Sequence, residues 1–271
     1  MSSKIIIEAG KEDAHYWKDL WKFKGLFYFL AWRDILVRYK QTTIGILWAI
    51  LRPLFSILAL TFVRWIFGGK TDIGGIPAPL LIAVGTLPWH FFSSAFSDIS
   101  NSLLGNANLI SKVYFPRIIV PASTVIVCFI DFLISFVIVL CFMLYYHRFP
   151  GIEILFLPGF LLLALVTAMG TGLYVASLNV KFRDFKYIIP FVIQFGMYVS
   201  PVMYSSQEIY NRASIPQWLK IAYSLNPMVG VIDGFRWSVL GDQVPIHWME
   251  FSISLAISLL FLVIGVRTFR R

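Results

Sequence analysis

The sequence predicts an all-α membrane protein. It has six transmembrane helices with both termini inside, an amphipathic interface helix before the first span, and two outer re-entrant helices before the last. Three observations predict this. The 271 residues are 58% hydrophobic and only 14% charged, whereas soluble domains are about 45–50% apolar and about 25% charged. Six apolar runs reach or approach the roughly 20 residues that cross a bilayer. The basic residues are also divided unequally between the two sides of those runs. A soluble enzyme is excluded, and so is a disordered or fibrous chain.

The N-terminal segment, residues 1–43, opens with Lys4, Glu8, Lys11, Glu12, Asp13, Lys18 and Asp19. It lacks an apolar core followed by a small-residue cleavage site, so no cleavable signal is expected and the N-terminus is expected in the cytoplasm. Over 25–43, a helical turn of about 100° per residue puts Tyr28, Trp32, Ile35, Leu36 and Tyr39 on one face and Arg33, Asp34, Arg38 and Lys40 elsewhere. An aromatic stripe beside cations suits a helix lying in the inner interface. The alternative is a juxtamembrane helix whose cations snorkel and do nothing else.

The membrane domain occupies 44–271, with spans predicted at 44–67, 78–100, 119–146, 154–178, 185–204 and 248–269. An even number returns the chain to its starting side. With the termini inside, 16 Lys and Arg residues are inside, 6 are outside, and Arg52 is left within the first span. That asymmetry supports N-in, C-in. It also accounts for the net charge of +9 without a nucleic-acid partner.

Residues 205–247 are semi-polar and too long for a turn. Ser214 shortly before Pro216, and Asn226 before Pro227, are helix-start signals, and Gly241 can end the second piece. They predict two short outer helices dipping back between the spans, a geometry that needs burial in protein or a cavity. An ordinary outer loop resting on the headgroups is the alternative.

Familiar chemistry is missing. Gly68-Gly69-Lys70-Thr71 imitates a phosphate loop, but the motif's first glycine would fall on Arg64, on the outer side. There is no G-x-S-x-G and no H-E-x-x-H, and His15, His90, His147 and His247 are isolated, so no metal site is expected. Cys128 and Cys141 would lie about 20 Å apart on one helix, too far to bridge. The ionisable residues within the spans are Arg52, Asp98 and Asp131, fewer than an ion-coupled carrier needs. Energy for uphill transport would have to come from another subunit.

Several motifs then fall in order along the chain. They are Arg33-Asp34 through Arg38-Tyr39-Lys40, Gly45-Ile46-Leu47-Trp48-Ala49 with Pro53-Leu54, and Leu87-Pro88-Trp89 with Phe91-Phe92-Ser93. Asn106 through Lys112-Val113-Tyr114-Phe115-Pro116-Arg117 follows, then Asn179 through Asp184, Ser200-Pro201-Val202, and Asn226-Pro227-Met228 with Arg236. Over nearly its whole length the chain resembles the permease subunits of type-2 ABC exporters of bacterial cell-surface polysaccharide, the family of O-antigen, capsule and teichoic-acid exporters. Its wording is nearest the O-antigen group. Arg52 matches no fixed position of that pattern.

The resemblance implies a homodimer in the bacterial inner membrane, bound to two ATP-binding cassette subunits that hold ATP and magnesium. The chain itself would carry no cofactor and no catalytic residue. The cargo implied is a polyprenyl-pyrophosphate-linked polysaccharide, and the loop at 105–118 is implied to be a coupling helix on the ATPase.

Chemistry then nominates residues. A pyrophosphate head group at the inner surface needs cations, arginine above all for its forked donors. Arg33 and Arg38, with Tyr39 and Lys40, are the candidates, and an ordinary topology role is the alternative. Sugar faces stack on aromatic rings, so Trp48, Trp89, Phe91, Phe92, Tyr198 and Tyr204 are candidate channel aromatics, with lipid or interface anchoring the alternative for each. Asn106, Lys112, Tyr114, Phe115 and Arg117 are expected to contact the ATPase. Lys181, Arg183 and Asp184 are expected to form a cytoplasmic site, with Arg183 and Asp184 partnered. Rival readings are a type-2 ABC exporter of a lipid or drug, an ion-coupled carrier, and a membrane-embedded glycosyl or acyl transferase. The last would need clustered carboxylates or a His/Asp pair that the sequence does not display.

Overall fold

A computed structural model describes residues 20–40, 47–67, 72–73, 75–182 and 184–270. The chain order is α1 (Lys24–Lys40), α2 (Leu47–Ile66), a two-stranded hairpin (β1, Asp72–Ile73; β2, Ile76–Pro77), α3 (Ala78–Gly105), α4 (Ala107–Lys112) and α5 (Ile119–Tyr145). It continues through α6 (Leu157–Lys181), α7 (Phe185–Val199), α8 (Gln207–Tyr210), α9 (Gln217–Ser224), α10 (Pro227–Leu240) and α11 (Trp248–Arg270). The small antiparallel hairpin pairs Asp72 with Pro77 and Ile73 with Ile76 and turns at Gly75, whose φ is +79°. Nothing in the sequence reading anticipated it.

Among the described residues five helices are long and apolar enough to cross a membrane: α2, α3, α5, α6 and α11. Each falls on a predicted span. The fifth predicted span, 185–204, differs. Its helix α7 stops at Val199 after 15 residues, about 22 Å at 1.5 Å per residue, short of a hydrocarbon core of about 30 Å. The cause is Pro201, which disfavours helical backbone at the residue before it. Ser200 is accordingly extended, with ψ 152°.

The centre of the bundle is α3, buried along most of its length between α5 and α6. Small residues let the last helix close on α6. A methyl group at Gly170 would lie 2.5 Å from the Leu262 backbone nitrogen, and one at Gly265 would overlap the Gly170 carbonyl. Thr167 donates to Ser258 Oγ across the same seam at 2.9 Å. Close backbone approach and hydroxyl bridges are the means by which helices associate without a hydrophobic drive between them. By contrast α2 and α7 stand at the margin. Only Pro53, Ile57 and Leu60 of α2 and Ile189 of α7 are buried, while Phe55, Phe62, Trp65, Phe191 and Phe195 point outward.

The interface helix forms where expected. Its Leu30 and Ala31 pack inward, Leu30 joining Phe115, Ile119 and Val120, while Tyr28, Trp32 and Leu36 stay exposed as an outward aromatic stripe. The outer segment holds three short helices rather than two. Asn226 caps α10, its side chain accepting from the Met228 N–H at 3.0 Å, and Gly241 ends that helix with φ +69°. Ser214 caps nothing: α9 starts at Gln217 with Pro216 at its N-cap. Arg236 is fully buried and donates to the carbonyls of Tyr204 (2.7 Å), Val202 (3.0 Å) and Leu81 (3.5 Å). It ties α10 to the turn after α7 and to α3.

Candidate functional site

Four helices turn one face each toward a cavity of about 140 Å³. From α1 come Arg38 and Tyr39. From α2 come Trp48, Ala49, Arg52 and Pro53, positions spaced so that they share a face. From α3 come Leu87, His90, Phe91 and Ser94, and from α5 Cys128, Asp131, Phe132 and Ser135, again at three- and four-residue intervals. Pro53 has no N–H for the helix ladder and sits beside Arg52 on this wall. Polar groups gather where α1 meets the spans, and rings and aliphatic groups complete the lining.

Arg38 is the hub of the polar end. Its two terminal nitrogens reach different helices, Nη1 to Asp98 Oδ2 at 3.2 Å on α3 and Nη2 to Asp131 Oδ2 at 2.9 Å on α5. Tyr39 Oη donates to the other oxygen of Asp131, and the Cys128 thiol donates to Asp98 at 3.4 Å. Burial pulls the Arg38 pKa down, but Asp131 and Asp98 outweigh it, so the net shift is upward and the cation is kept. Burial, and then the bond to Asp131, raises the Tyr39 phenol above its ordinary value, so it remains a donor. The forked guanidinium thus fastens α1 across two helices, a geometry that lysine's single ammonium cannot reproduce.

A second, more open groove of about 540 Å³ runs behind α1, bordered by Arg33, Arg38, Asp98 and Asn106. Arg33 donates to Asp34 at 2.7 Å and to Asn106 Oδ1 at 2.9 Å. Asn106 in turn donates to the Ser102 carbonyl at 3.0 Å, so the interface helix is tied to the start of α4. At the end of α4 and in the turn after it, Lys112, Tyr114 and Arg117 are exposed around a hollow of about 230 Å³.

Several nominated residues lie elsewhere than expected. Phe115 is 5% exposed and packs on Leu30, so it anchors the loop within this chain. Trp89 and Phe92 are buried in the core of the chain. They pack against each other with centroids 5.5 Å apart, and Trp89 fills the space beside Gly196 on α7. Phe91 is buried too, edge-on to Phe132, but at the cavity wall. Trp48 and Tyr198 are exposed. Tyr204 donates to the Val199 carbonyl at 3.0 Å, and its own carbonyl accepts from Arg236.

Arg33 and Arg38 are already paired with this chain's own acids. Lys40 is exposed at the end of α1, outside both hollows. Lys181 is exposed, 5.5 Å from the Phe182 ring centroid. Asp184 is exposed at the start of α7, and Arg183 lies outside the described residues. Asn179, from the same motif, proves to be a buried strut donating to the Ser100 carbonyl at 3.1 Å. Asp98, Asp131 and His90 were not nominated at all, although two carboxylates inside apolar runs were the signal that could have found them.

The structure is that of a helical membrane bundle with a cavity lined by cations and aromatic rings. The chain belongs to the ABC-2 type transporter family, whose pattern it matches over residues 25–240. It is a multi-pass inner-membrane protein, the transport subunit of a type-2 ABC system. It is similar to the O-antigen export system permease protein RfbA of Myxococcus xanthus, 25% identical over 229 residues that cover 84% of this chain and 85% of that protein. It is also similar to the protein of the same name in Klebsiella pneumoniae, 26% identical over 240 residues covering 88% of each chain.

Proposed function

We propose that this chain is the membrane channel subunit of an ATP-driven exporter of polyprenyl-pyrophosphate-linked polysaccharide of the O-antigen type. A homodimer would work with two ATP-binding subunits that hold ATP and magnesium. Both termini face the cytoplasm, as the basic-residue asymmetry favours. The observation that carries the reading is the cavity between α1 and the spans, where charged groups adjoin the rings of Trp48, Phe91 and Phe132. A lipid-linked pyrophosphate needs both, because its charge cannot enter hydrocarbon unpaired while its tail stays there. The outward apolar faces of α2 and α7, with Tyr198 among them, suit a second copy of the chain. The test is deletion followed by complementation, with lipid-linked glycan measured on both membrane faces. Accumulation inside, relieved by the intact gene, is the expected result. Undisturbed surface polysaccharide with altered lipid or drug efflux would replace the reading by its rival.

Coupling is assigned to α4 and the turn after it, where Lys112, Tyr114 and Arg117 are exposed. Lys112→Glu and Arg117→Glu are expected to lower transport-stimulated ATP hydrolysis several-fold while leaving membrane insertion and melting temperature unchanged. Phe115→Ala should behave oppositely. It opens the Leu30 contact and costs about 3 kcal/mol of stability as a buried aromatic truncation. Crosslinks from the ATPase that reach only α1 and never α4 would remove α4 from this role.

A further inference from the structure

Two buried groups of opposite sign stand one turn apart on α10 without meeting. Asp233 is 8% exposed, and its Oδ1 is buried with no hydrogen-bond partner among the described residues. Arg236, three residues on and so on the same side of the helix, is fully buried, and its Nε is equally without a partner. The two side chains form no ion pair. Both terminal nitrogens of Arg236 are spent instead on the carbonyls of Tyr204, Val202 and Leu81. A buried carboxylate with one bare oxygen is costly, so this arrangement favours the neutral carboxyl. Ionised, Asp233 competes with those carbonyls for the guanidinium.

The groups around Asp233 come from every neighbouring segment. The Ser206 hydroxyl, at the start of α8, hydrogen-bonds to the carboxyl. Tyr204 after α7, Tyr210 on α8, Tyr223 on α9 and His247 before α11 face it as well. Glu208 faces Arg236, and Glu250 of α11 faces Tyr210. On the remaining sides α3 brings the Leu81 carbonyl, and α6 brings the Phe160 ring against Gly234. Burial raises all three phenols, so they stay neutral. Burial also pushes the Asp233 carboxyl up to about 6, against the opposing pull of Ser206, Arg236 and His247. It lowers the Arg236 guanidinium to about 10, which leaves a cation throughout that range.

We infer that Asp233 and Arg236 form a proton-operated switch in the outer segment. With the proton on Asp233, Arg236 holds the turn after α7 to α10 and α3. Without it, the guanidinium turns to the carboxylate and the turn is released. The sign follows from an acid raised above its ordinary value of 3.8. The hold is complete below that ordinary value and is lost as the pH rises through about 6. Acid on the outer side therefore fastens α7 to the outer helices, and neutral pH loosens them. The consequence for transport, which rests on the exporter reading above, is that outer acid restrains export.

The test uses the full-length chain with its ATP-binding partner in nanodiscs. Amide hydrogen exchange over 200–247, corrected for the intrinsic effect of pH on exchange, is compared at about pH 5 and about pH 8. The parent is expected to exchange several-fold faster at the higher pH in the turn 202–206 and in α10. Asp233→Asn keeps the shape of the neutral carboxyl and cannot ionise. It should stay protected at both values and melt no lower than the parent at the higher one. His247→Gln should keep the parent's response. A parent without pH dependence, or full pH dependence in well-inserted Asp233→Asn, would overturn the switch. Loss of the response in His247→Gln would move the titration to the imidazole and overturn the assignment to Asp233. Exchange needs no cargo, so it decides the switch whether or not the exporter reading stands. In cells, surface glycan export is expected to fall several-fold as the outer pH drops from about 7.5 to about 5.5, and to be low at both in Asp233→Asn. Export indifferent to outer pH, in a parent whose exchange does switch, would overturn the consequence for transport.

Discussion

Arg236→Ala is expected to be the most destabilising single substitution in the outer half of the protein. The side chain is completely buried, and its terminal nitrogens hold carbonyls from the turn after α7 and from α3. Truncation removes charge-assisted bonds worth about 1.5–3 kcal/mol each, leaves the Tyr204 and Val202 carbonyls unmet, and opens a void. The bonds are not additive, so a total loss of about 3–5 kcal/mol is the reasonable expectation. Arg236→Lys should recover little, because one ammonium cannot serve carbonyls on two separate segments. Gly85→Ala approaches the same defect from the other side, since its methyl would lie 2.6 Å from Arg236 Nη2. Thermal melting in detergent or nanodiscs checks both. A melting temperature within a degree or two of the parent for Arg236→Ala would mean that the outer helices are held by packing alone.

The helices were legible because their determinants are local and repeated. A run of about 20 apolar residues leaves a chain in lipid few other structures, so the five long helices α2, α3, α5, α6 and α11 fall where hydropathy puts them. The cap at Asn226 was legible for the same reason: the side chain and the N–H it serves are two residues apart. The length of α7 was misread although its signal was present. Apolar residues continue past Pro201 and extend the hydropathy signal, whereas the restriction that proline imposes on the backbone of Ser200 ends the helix.

The site was legible in parts and illegible as a whole. Arg38 and Tyr39, nominated for a charged head group, and Trp48, nominated for stacking, line one cavity. That Arg38 would meet Asp98 and Asp131 was not legible, because the two carboxylates approach it across 60 and more residues of sequence. Their meeting depends on how far α3 and α5 are rotated, which no local pattern records. The burial of Phe115 and Trp89 is likewise a tertiary result. Each belongs to a motif that looked functional, and each is held in place by a partner on another helix, Leu30 and Gly196 respectively. Motif membership therefore marked importance in these cases without saying whether the importance was to packing or to substrate.

Arg38→Ala is expected to abolish most export, by tenfold or more, and to loosen the interface helix. Removing the cation strands Asp98 and Asp131 beside each other and frees Tyr39 from its fixed place. Breaking a fully buried pair costs about 3–5 kcal/mol. Here Arg38 and Asp98 are 30% and 37% exposed, so solvent screening reduces the expected loss to about 2 kcal/mol. Arg38→Lys should fall between the parent and alanine, because an ammonium can satisfy Asp98 or Asp131 but not span both. The variant that separates charge from structure is Arg38→Met combined with Asp98→Asn and Asp131→Asn. With no charge left unpaired it should regain most of the lost melting temperature. It should nevertheless export poorly, since the polar tie that sets α1 against the cavity is gone. Arg33→Ala, which cuts the link from α1 to Asn106 at a more exposed site, should cost less than 1 kcal/mol and reduce ATP-coupled export more than ligand binding. Full export by the triple variant would reduce the Arg38 cluster to charge compensation. Full export by Arg38→Ala itself would show that the interface helix works without being fastened there.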